Sequence, residues 1–367
     1  MARLPKTDKF LLLLVLTLVT VGLFIFISAS FGLLARDGRA FLLIAARQVI
    51  FGLAAGGLLA FVVSRTPHNW WRKNAFWFLS GAIFLNLLLF APGLAVEHGG
   101  ARRWLEVFWL SFQPSEFLKL GVILYFAAWL GKVKGGVATV KHGLLPLFIL
   151  LAVSAAIILS QPDTDTFIVL AAALVSMFMA AGGRWRHFLV VFFIAGLSFV
   201  LLISARPYLT DRLKTFIDPA ADPLGAGYQI QQSIIAVGSG EIFGRGFGRS
   251  VQKFGYLPEP RGDSIFAVAA EEFGFIGSAA IVVLFTLFAL RGFWVARRAP
   301  DFFAAYTTIG IVTIIIFQSF LNIAAMVGLV PLSGMPLIFI SHGGTALFVS
   351  LIEVGIILSI SRHLKAG

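Results

Sequence analysis

The chain has 367 residues, 59% hydrophobic and only 13% charged, with mean hydropathy +0.94. A soluble domain carries about 25% charged residues, so this balance excludes a soluble fold and predicts a polytopic membrane protein. The absence of cysteine excludes disulfide staples and thiol chemistry, and the net charge of +12 lies mainly in short loops between apolar segments, a signal of topology and lipid phosphate and not of nucleic acid.

About 20 apolar residues cross a bilayer core. Ten segments qualify or nearly so: Phe10–Phe31, Phe41–Val63, Ala75–Ala91, Ser115–Leu130, Gly143–Ser160, Thr166–Ala181, His187–Ser204, Ile265–Leu290, Phe302–Gly328 and Ser341–Ile360. The fourth and sixth are short. The first follows Arg3, Lys6 and Lys9, and it contains Ser28-Ala-Ser30, which imitates a cleavage site. Its apolar run is too long for a signal peptide, so it reads as an anchor. With the N-terminus inside, sixteen Lys and Arg fall in cytoplasmic segments and four in short outer loops. That bias places both termini in the cytoplasm and the long loop Ala205–Ser264 outside, because long loops translocate largely regardless of charge. Trp129, Trp185 and Trp294 fall near the cytoplasmic helix ends, as an aromatic belt requires. The two halves show no strong repeat, which disfavours an inverted-repeat transporter. The whole of 1–367 reads as one all-α membrane domain of about ten helices, with the long extracytoplasmic loop between helices 7 and 8.

Several polar motifs interrupt this pattern. Gly99-Gly-Ala-Arg-Arg-Trp104 occupies an outer loop. Two guanidiniums beside an indole suit a phosphate headgroup, but from this hexapeptide alone interfacial anchoring is the favoured reading. Gln113-Pro-Ser-Glu-Phe-Leu-Lys119 opens the fourth helix with proline and an acid in the first turn. Glu116 and Lys119 share one face, either as a paired cap or as a buried pair facing a cavity. Gln161-Pro-Asp-Thr-Asp165 is an acidic turn that could cap a helix or hold a cation. The glycine-rich run Gly238–Gly248 lacks the spacing and strand context of a nucleotide loop, and reads as a flexible or close-packed re-entrant loop. Leu329–Pro336 and Ser341-His-Gly-Gly-Thr345 break the hydrophobic pattern before the last helix, as backbone lining a cavity does. His342 could be a base or ligand, yet there is no nucleophile elbow and no metal-type histidine spacing.

The densest signal is Gly255–Gly274. It carries Pro258-Glu-Pro260, Arg261 and Asp263 at a helix mouth, then Glu271 and Glu272 inside the apolar run. Intramembrane charge costs about 2.5–3.5 kcal/mol per residue on insertion scales, so three acids in ten residues point to a cavity or a partner. From these residues alone, Asp263 is either catalytic or salt-bridged to Arg261.

Taken together, the ten spans, Gly-Ala-Arg-Arg-Trp104, Gln113-Pro-Ser-Glu116, Gln161-Pro-Asp163, Leu257-Pro-Glu259 before Asp263, and Pro336-Leu337 with Ser341-His-Gly-Gly344 resemble the SEDS family of peptidoglycan polymerases, the family of FtsW, RodA and SpoVE. The run from Tyr228 through Lys253 to Glu259 is more similar to the division-type FtsW branch than to the elongation-type RodA branch. The resemblance implies polymerisation of lipid II into glycan strands at the outer face of the bacterial cytoplasmic membrane, at the division septum. Asp263 matches the family's essential acid, implied as general base for the acceptor hydroxyl, with undecaprenyl pyrophosphate leaving. Arg102, Arg103, Trp104, Glu116, Lys119, Lys253, Glu259, Ser341 and His342 match substrate-binding positions. A divalent cation (Mg or Mn), with Asp263 as one option for its ligand, or Arg102, Arg103 and Lys119 would balance the leaving charge, and no organic cofactor is implied. The implied partners are a class B penicillin-binding protein in trans and other divisome proteins, with Gly310 or Gly328 as candidate docking faces and no nucleic acid. The chain departs from the family pattern at Arg261-Gly262, where His-Thr is usual, and at Asp165, where glycine is usual. A lipid II flippase and a scaffold are the rivals. Arg47 and Glu353, deep in their helices, keep the flippase in play, whereas acids clustered towards the outer half favour an enzyme.

Overall fold

The computed structural model describes residues 7–91, 93–98, 101–107, 110–133, 136–222 and 225–365. Arg3, Lys6, Gly99, Gly100 and Lys134 lie outside the described residues. Twelve helical stretches carry the architecture: α1 (Lys9–Arg36, turned at Ser30), α2 (Gly38–Arg65), α3 (His68–Phe90), α4 (Pro114–Val133), α5 (Val140–Ile158), α6 (Thr164–Ala180), α7 (Trp185–Ala205), α8 (Pro207–Ile217), α9 (Ala226–Ser239), α10 (Ile265–Arg297), α11 (Phe302–Met326) and α12 (Gly344–Ser361). Eight of them are long and apolar enough to cross a membrane: α1, α2, α3, α5, α7, α10, α11 and α12. The fourth and sixth expected spans are α4, whose 20 residues include Glu116, Lys119 and Lys132, and α6, an apolar helix of 17 residues.

The helices start where the sequence supplies caps. The Asp8 carboxylate accepts from the Leu11 amide (3.0 Å) at the start of α1, and Asp301 from the Ala304 amide (2.8 Å) at the start of α11. These bonds satisfy donors that a helix start leaves orphaned. The third span begins at His68 rather than Ala75, because Trp70, Trp71, Arg72 and Lys73 continue the helix as an interfacial turn.

α11 is the hub. It packs on α4, α6 and α10, and buries polar Thr307, Thr308, Gln318, Ser319 and Asn322. α1 packs along α10, α3 along α4, and α12 along α2. The α2–α12 seam is built on small residues: a Cβ at Gly52 or Gly56 would stand 3.1 Å from Leu347 or Leu351 side-chain atoms. Without a hydrophobic drive between helices in lipid, such close backbone approach supplies the association. Gly310, a candidate docking face by sequence, is internal, since its Cβ position meets Met177 and Ile123 at 2.6 and 2.9 Å. By contrast α7 buries only Val191 among its described apolar side chains and exposes most of the others, as a lipid-facing helix does.

The loops sort into two ends. At one, Asp8 pairs with Arg291 (2.8 Å), its backbone amide donates to Ser361 Oγ (3.1 Å), and Asp301 lies 3.4 Å from His68. At the other, the segment between α3 and α4 forms a three-stranded antiparallel sheet, β1 (Ala95–His98), β2 (Ala101–Val107) and β3 (Leu110–Phe112), with Ala95 opposite Leu105 and Leu105 opposite Phe112. The sequence reading has no strand there; the sheet is a minor addition to a helical molecule. The long segment 206–264 is likewise not open loop, because α8 and α9 occupy much of it.

Candidate active site

Asp263 sits one residue before Ser264, the residue that precedes α10. Asn322 of α11 donates to the Asp263 carbonyl (2.7 Å) and to the Met335 carbonyl (2.8 Å), tying the aspartate's backbone to the chain between α11 and α12. Four residues earlier on the same face, Gln318 donates to the Pro336 carbonyl (3.2 Å) and accepts from Lys119 Nζ (2.8 Å). Ser341 Oγ donates to the Gly262 carbonyl (2.8 Å), and the His342 amide to the Arg261 carbonyl (2.7 Å). Gln48 of α2 completes the clamp, donating to the Ser341 carbonyl (3.1 Å) and accepting from the Gly343 amide (3.3 Å). Asn322, Ser341 Oγ and the His342 amide thus join the turn 261–263 to the turn 335–343, and Gln318 and Gln48 brace the second turn. Positioning of this kind is what a reacting group needs.

The Asp263 carboxyl is pushed up to about 7, first by burial and then by the Glu259 and Asp165 carboxylates, against the pull of Arg212 and Arg103. Its Oδ2 lies beside Gly334, whose Cβ position is 3.8 Å away. Arg212 of α8 does not pair with Asp263. It binds Asp165 (2.9 Å), which also accepts from the Gly334 amide (3.3 Å). Nor does Arg261 form a salt bridge with Asp263: its Nη1 is buried without a hydrogen-bond partner.

The other predicted residues divide into groups. Arg103 donates through Nε to the Gln161 carbonyl (3.1 Å), through Nη2 to the Pro162 carbonyl, and lies 3.8 Å from Asp163. It joins β2 to the acidic turn. Arg102 is exposed on β2, and Trp104 is half-buried beside it. Glu116 and Lys119 form a buried pair at 2.9 Å. Glu353 of α12 is also buried, with an Oε1 that has no hydrogen-bond partner among the described residues, in the field of Lys119 and Glu116. Glu259 is exposed in a left-handed turn (φ 43°), accepting at its carbonyl from the Gly262 and Ser264 amides. His342 stacks on Phe26, centroids 5.9 Å apart, and is pushed down to about 4 by burial, with Arg261 and Arg47 adding to it.

Lys253 stands apart. Its ammonium is fully buried, 2.6 Å from Glu272 and 2.9 Å from Ser28 Oγ. Glu271 accepts from Ser250 Oγ (2.5 Å) and the Val251 amide (3.1 Å), and pairs with Arg245 (3.2 Å). Glu271 and Glu272 therefore do not face Asp263. They lock the glycine-rich loop onto α10, where Gly274 (φ 65°) kinks the helix around Gly244. Sequence reading treats these acids as signs of chemistry; in the structure their partners are Ser28, Arg245, Ser250 and Lys253. Conversely it misses Gln48, Arg212, Gln318 and Asn322. Gln318 and Asn322, polar at a spacing of four inside an apolar span, carry a usable signal.

For a divalent cation, no group of three or more His, Asp or Glu among the described residues could hold one, and Asp165 is already engaged by Arg212. The residues present do not fit a preformed metal site.

A helical membrane bundle with a clamped acid at one mouth defines the class. Residues 8–366 match the FtsW/RodA/SpoVE cell cycle protein family, and the chain belongs to that family. It is 36% identical over 360 residues to stage V sporulation protein E of Bacillus subtilis, covering 98% of each chain. It is 37% identical over 366 residues to a probable peptidoglycan glycosyltransferase FtsW of Trichlorobacter lovleyi, covering 99% of this chain and 95% of that one. Among solved structures it matches a chain of a peptidoglycan synthase complex that coordinates polymerization and crosslinking (TM-score 0.80, 26% identity, 97% and 98% covered). It also matches the rod shape determining protein RodA of Thermus thermophilus (TM-score 0.72, 25% identity, 99% of each covered).

Proposed function

We propose that this multi-pass membrane protein is a peptidoglycan glycosyltransferase that polymerises lipid II, with Asp263 as general base. The observation that carries the reading is the Asp263 carboxyl near neutrality, clamped through its backbone by Asn322, in a chain related over its whole length to named glycosyltransferases. A base is most effective when its pKa lies near the working pH. In the step, Asp263 takes the proton of the acceptor sugar hydroxyl. The oxygen forms a bond to the anomeric carbon of the donor, the bond from that carbon to the diphosphate breaks with inversion, and the electron pair leaves with undecaprenyl pyrophosphate. Mg or Mn would arrive with the diphosphate, a mode of binding that takes one or two protein carboxylates.

The likeness to a synthase complex supports a class B penicillin-binding protein as partner. The lysine and arginine bias supports both termini in the cytoplasm and the Asp263 end outside, and the curated relatives named FtsW support a role at the septum. The test is polymerisation of purified lipid II by the chain with its cognate partner, the partner's own glycosyltransferase activity excluded. Wild type makes strands and Asp263→Asn makes none while still binding the partner. Strands from both remove Asp263 as the base; strands from neither favour lipid translocation.

A further inference from the structure

A polymerase of lipid-linked sugars must receive the charge of a departing diphosphate, yet most cations near Asp263 are already engaged. Arg103 binds two carbonyls and approaches Asp163, Arg212 binds Asp165, Lys119 binds Glu116, and Lys253 binds Glu272. Three arginines around the same mouth differ. Among the described residues, Arg36, Arg47 and Arg261 have no carboxylate within ion-pair distance.

Arg36, at the outer end of α1, and Arg261, two residues before Asp263, line one cavity of about 310 Å³ together with Tyr228 and Tyr256. Arg36 makes a single long bond to the Phe254 carbonyl (3.5 Å). Gly255, with φ 108°, leaves the room its guanidinium occupies, since a Cβ there would overlap Nη2. Arg261 Nη1 is buried and unpartnered. Glu259 is the cavity's one carboxylate and sits in an exposed turn at its rim. Arg47 opens the π-helical stretch Arg47–Ala55 of α2, immediately before the Gln48 that clamps Ser341 and Gly343, and acts with Arg261 on His342. Such π segments often mark functional sites, and an unpaired arginine within a spanning helix is costly unless a ligand or an aqueous cavity meets it. Planar guanidiniums match phosphate oxygens two at a time.

We infer that the cavity between the outer end of α1 and the 253–261 loop, extended by Arg47, binds the diphosphate of the lipid-linked substrate or product, with Arg36 and Arg261 as its principal ligands. The inference rests on the polymerase reading for the identity of the ligand, but its test does not depend on turnover.

The full chain in nanodiscs of neutral phosphatidylcholine is titrated with inorganic pyrophosphate by calorimetry, against inorganic phosphate and acetate at matched ionic strength. Wild type and Asp263→Asn should bind pyrophosphate saturably and alike, Arg36→Gln with Arg261→Gln at least tenfold more weakly, and phosphate and acetate more weakly than pyrophosphate. Unchanged binding by the double variant, or no binding by wild type that polymerises, overturns the site. Acetate binding as tightly as pyrophosphate reassigns the pocket to a carboxylate of the substrate. Pyrophosphate binding by a chain that makes no strands sinks the polymerase reading and leaves the pocket standing. Because the variants could misfold, a second measurement needs none: pyrophosphate should protect Arg36 and Arg261 from phenylglyoxal, read by peptide mass, and leave exposed Arg249 unprotected. Equal modification with and without pyrophosphate refutes the assignment.

Discussion

As the proposed base, Asp263 acts only when ionised, so its raised pKa should set the pH dependence of the reaction. With the carboxyl pushed up to about 7, kcat/KM should fall about tenfold per pH unit below that value and level off above it. A profile flat between pH 5 and 7 would remove Asp263 as the titrating base. Stability carries the opposite sign. A carboxyl whose folded pKa is raised holds its proton better folded than unfolded, so its contribution is fully present below about pH 4 and is lost as pH rises through 7. Asp263→Asn should therefore abolish polymerisation, by about 10²–10⁴-fold or more, yet melt at the same temperature as wild type or higher at pH 8. A marked drop in melting temperature there would make the residue structural. At this scale the sequence shows the acid itself and the Glu116–Lys119 pair, since type and spacing suffice. It does not show that Arg261, two residues away in the chain, leaves Asp263 alone; the clamp from α2, α11 and the 335–343 turn decides that.

Among the elements, α11 holds the proposed base in place without supplying it. Asn322 satisfies two carbonyls from separate turns, and leaving a buried group unsatisfied costs about 1–3 kcal/mol. Asn322→Ala should lower kcat more than it raises KM, because the positioning of Asp263 is lost while substrate contacts stay. An unchanged kcat in a folded variant would refute the clamp. The kinked start of α10 is held in a different way. Breaking a buried pair by removing one partner costs about 3–5 kcal/mol, whereas removing both together is often nearly neutral. Lys253→Met should thus destabilise strongly, and adding Glu272→Gln should recover most of the loss. Additive losses in this cycle would mean the 2.6 Å pair is not coupled. The sequence locates α10 and α11 well, because long apolar runs between caps have few other folds. It cannot assign partners to Glu271, Glu272 and Lys253, because those partners come from α1 and from across a turn of the chain, beyond the reach of helical spacing.

The whole molecule separates its polar ends. Arg102 is exposed by the sheet at the Asp263 end and Arg297 at the end where the termini meet. The chain lacks cysteine, so single introduced thiols report sidedness without a background. Arg102→Cys should react with a membrane-impermeant maleimide in intact cells, and Arg297→Cys only after permeabilisation; the reverse pattern would invert the topology.

Composition and the spacing of apolar runs determine by themselves that this chain is a helical membrane protein and roughly where it crosses, because the bilayer penalises exposed backbone and charge so heavily. The ordered motifs likewise determine the family. Only the tertiary structure decides which charges are paired and which are left for a ligand. Ion pairs and hydrogen bonds depend on distances of a few ångströms between residues hundreds of positions apart, such as Asp8 with Arg291 or Gln48 with Ser341, and no local pattern encodes them.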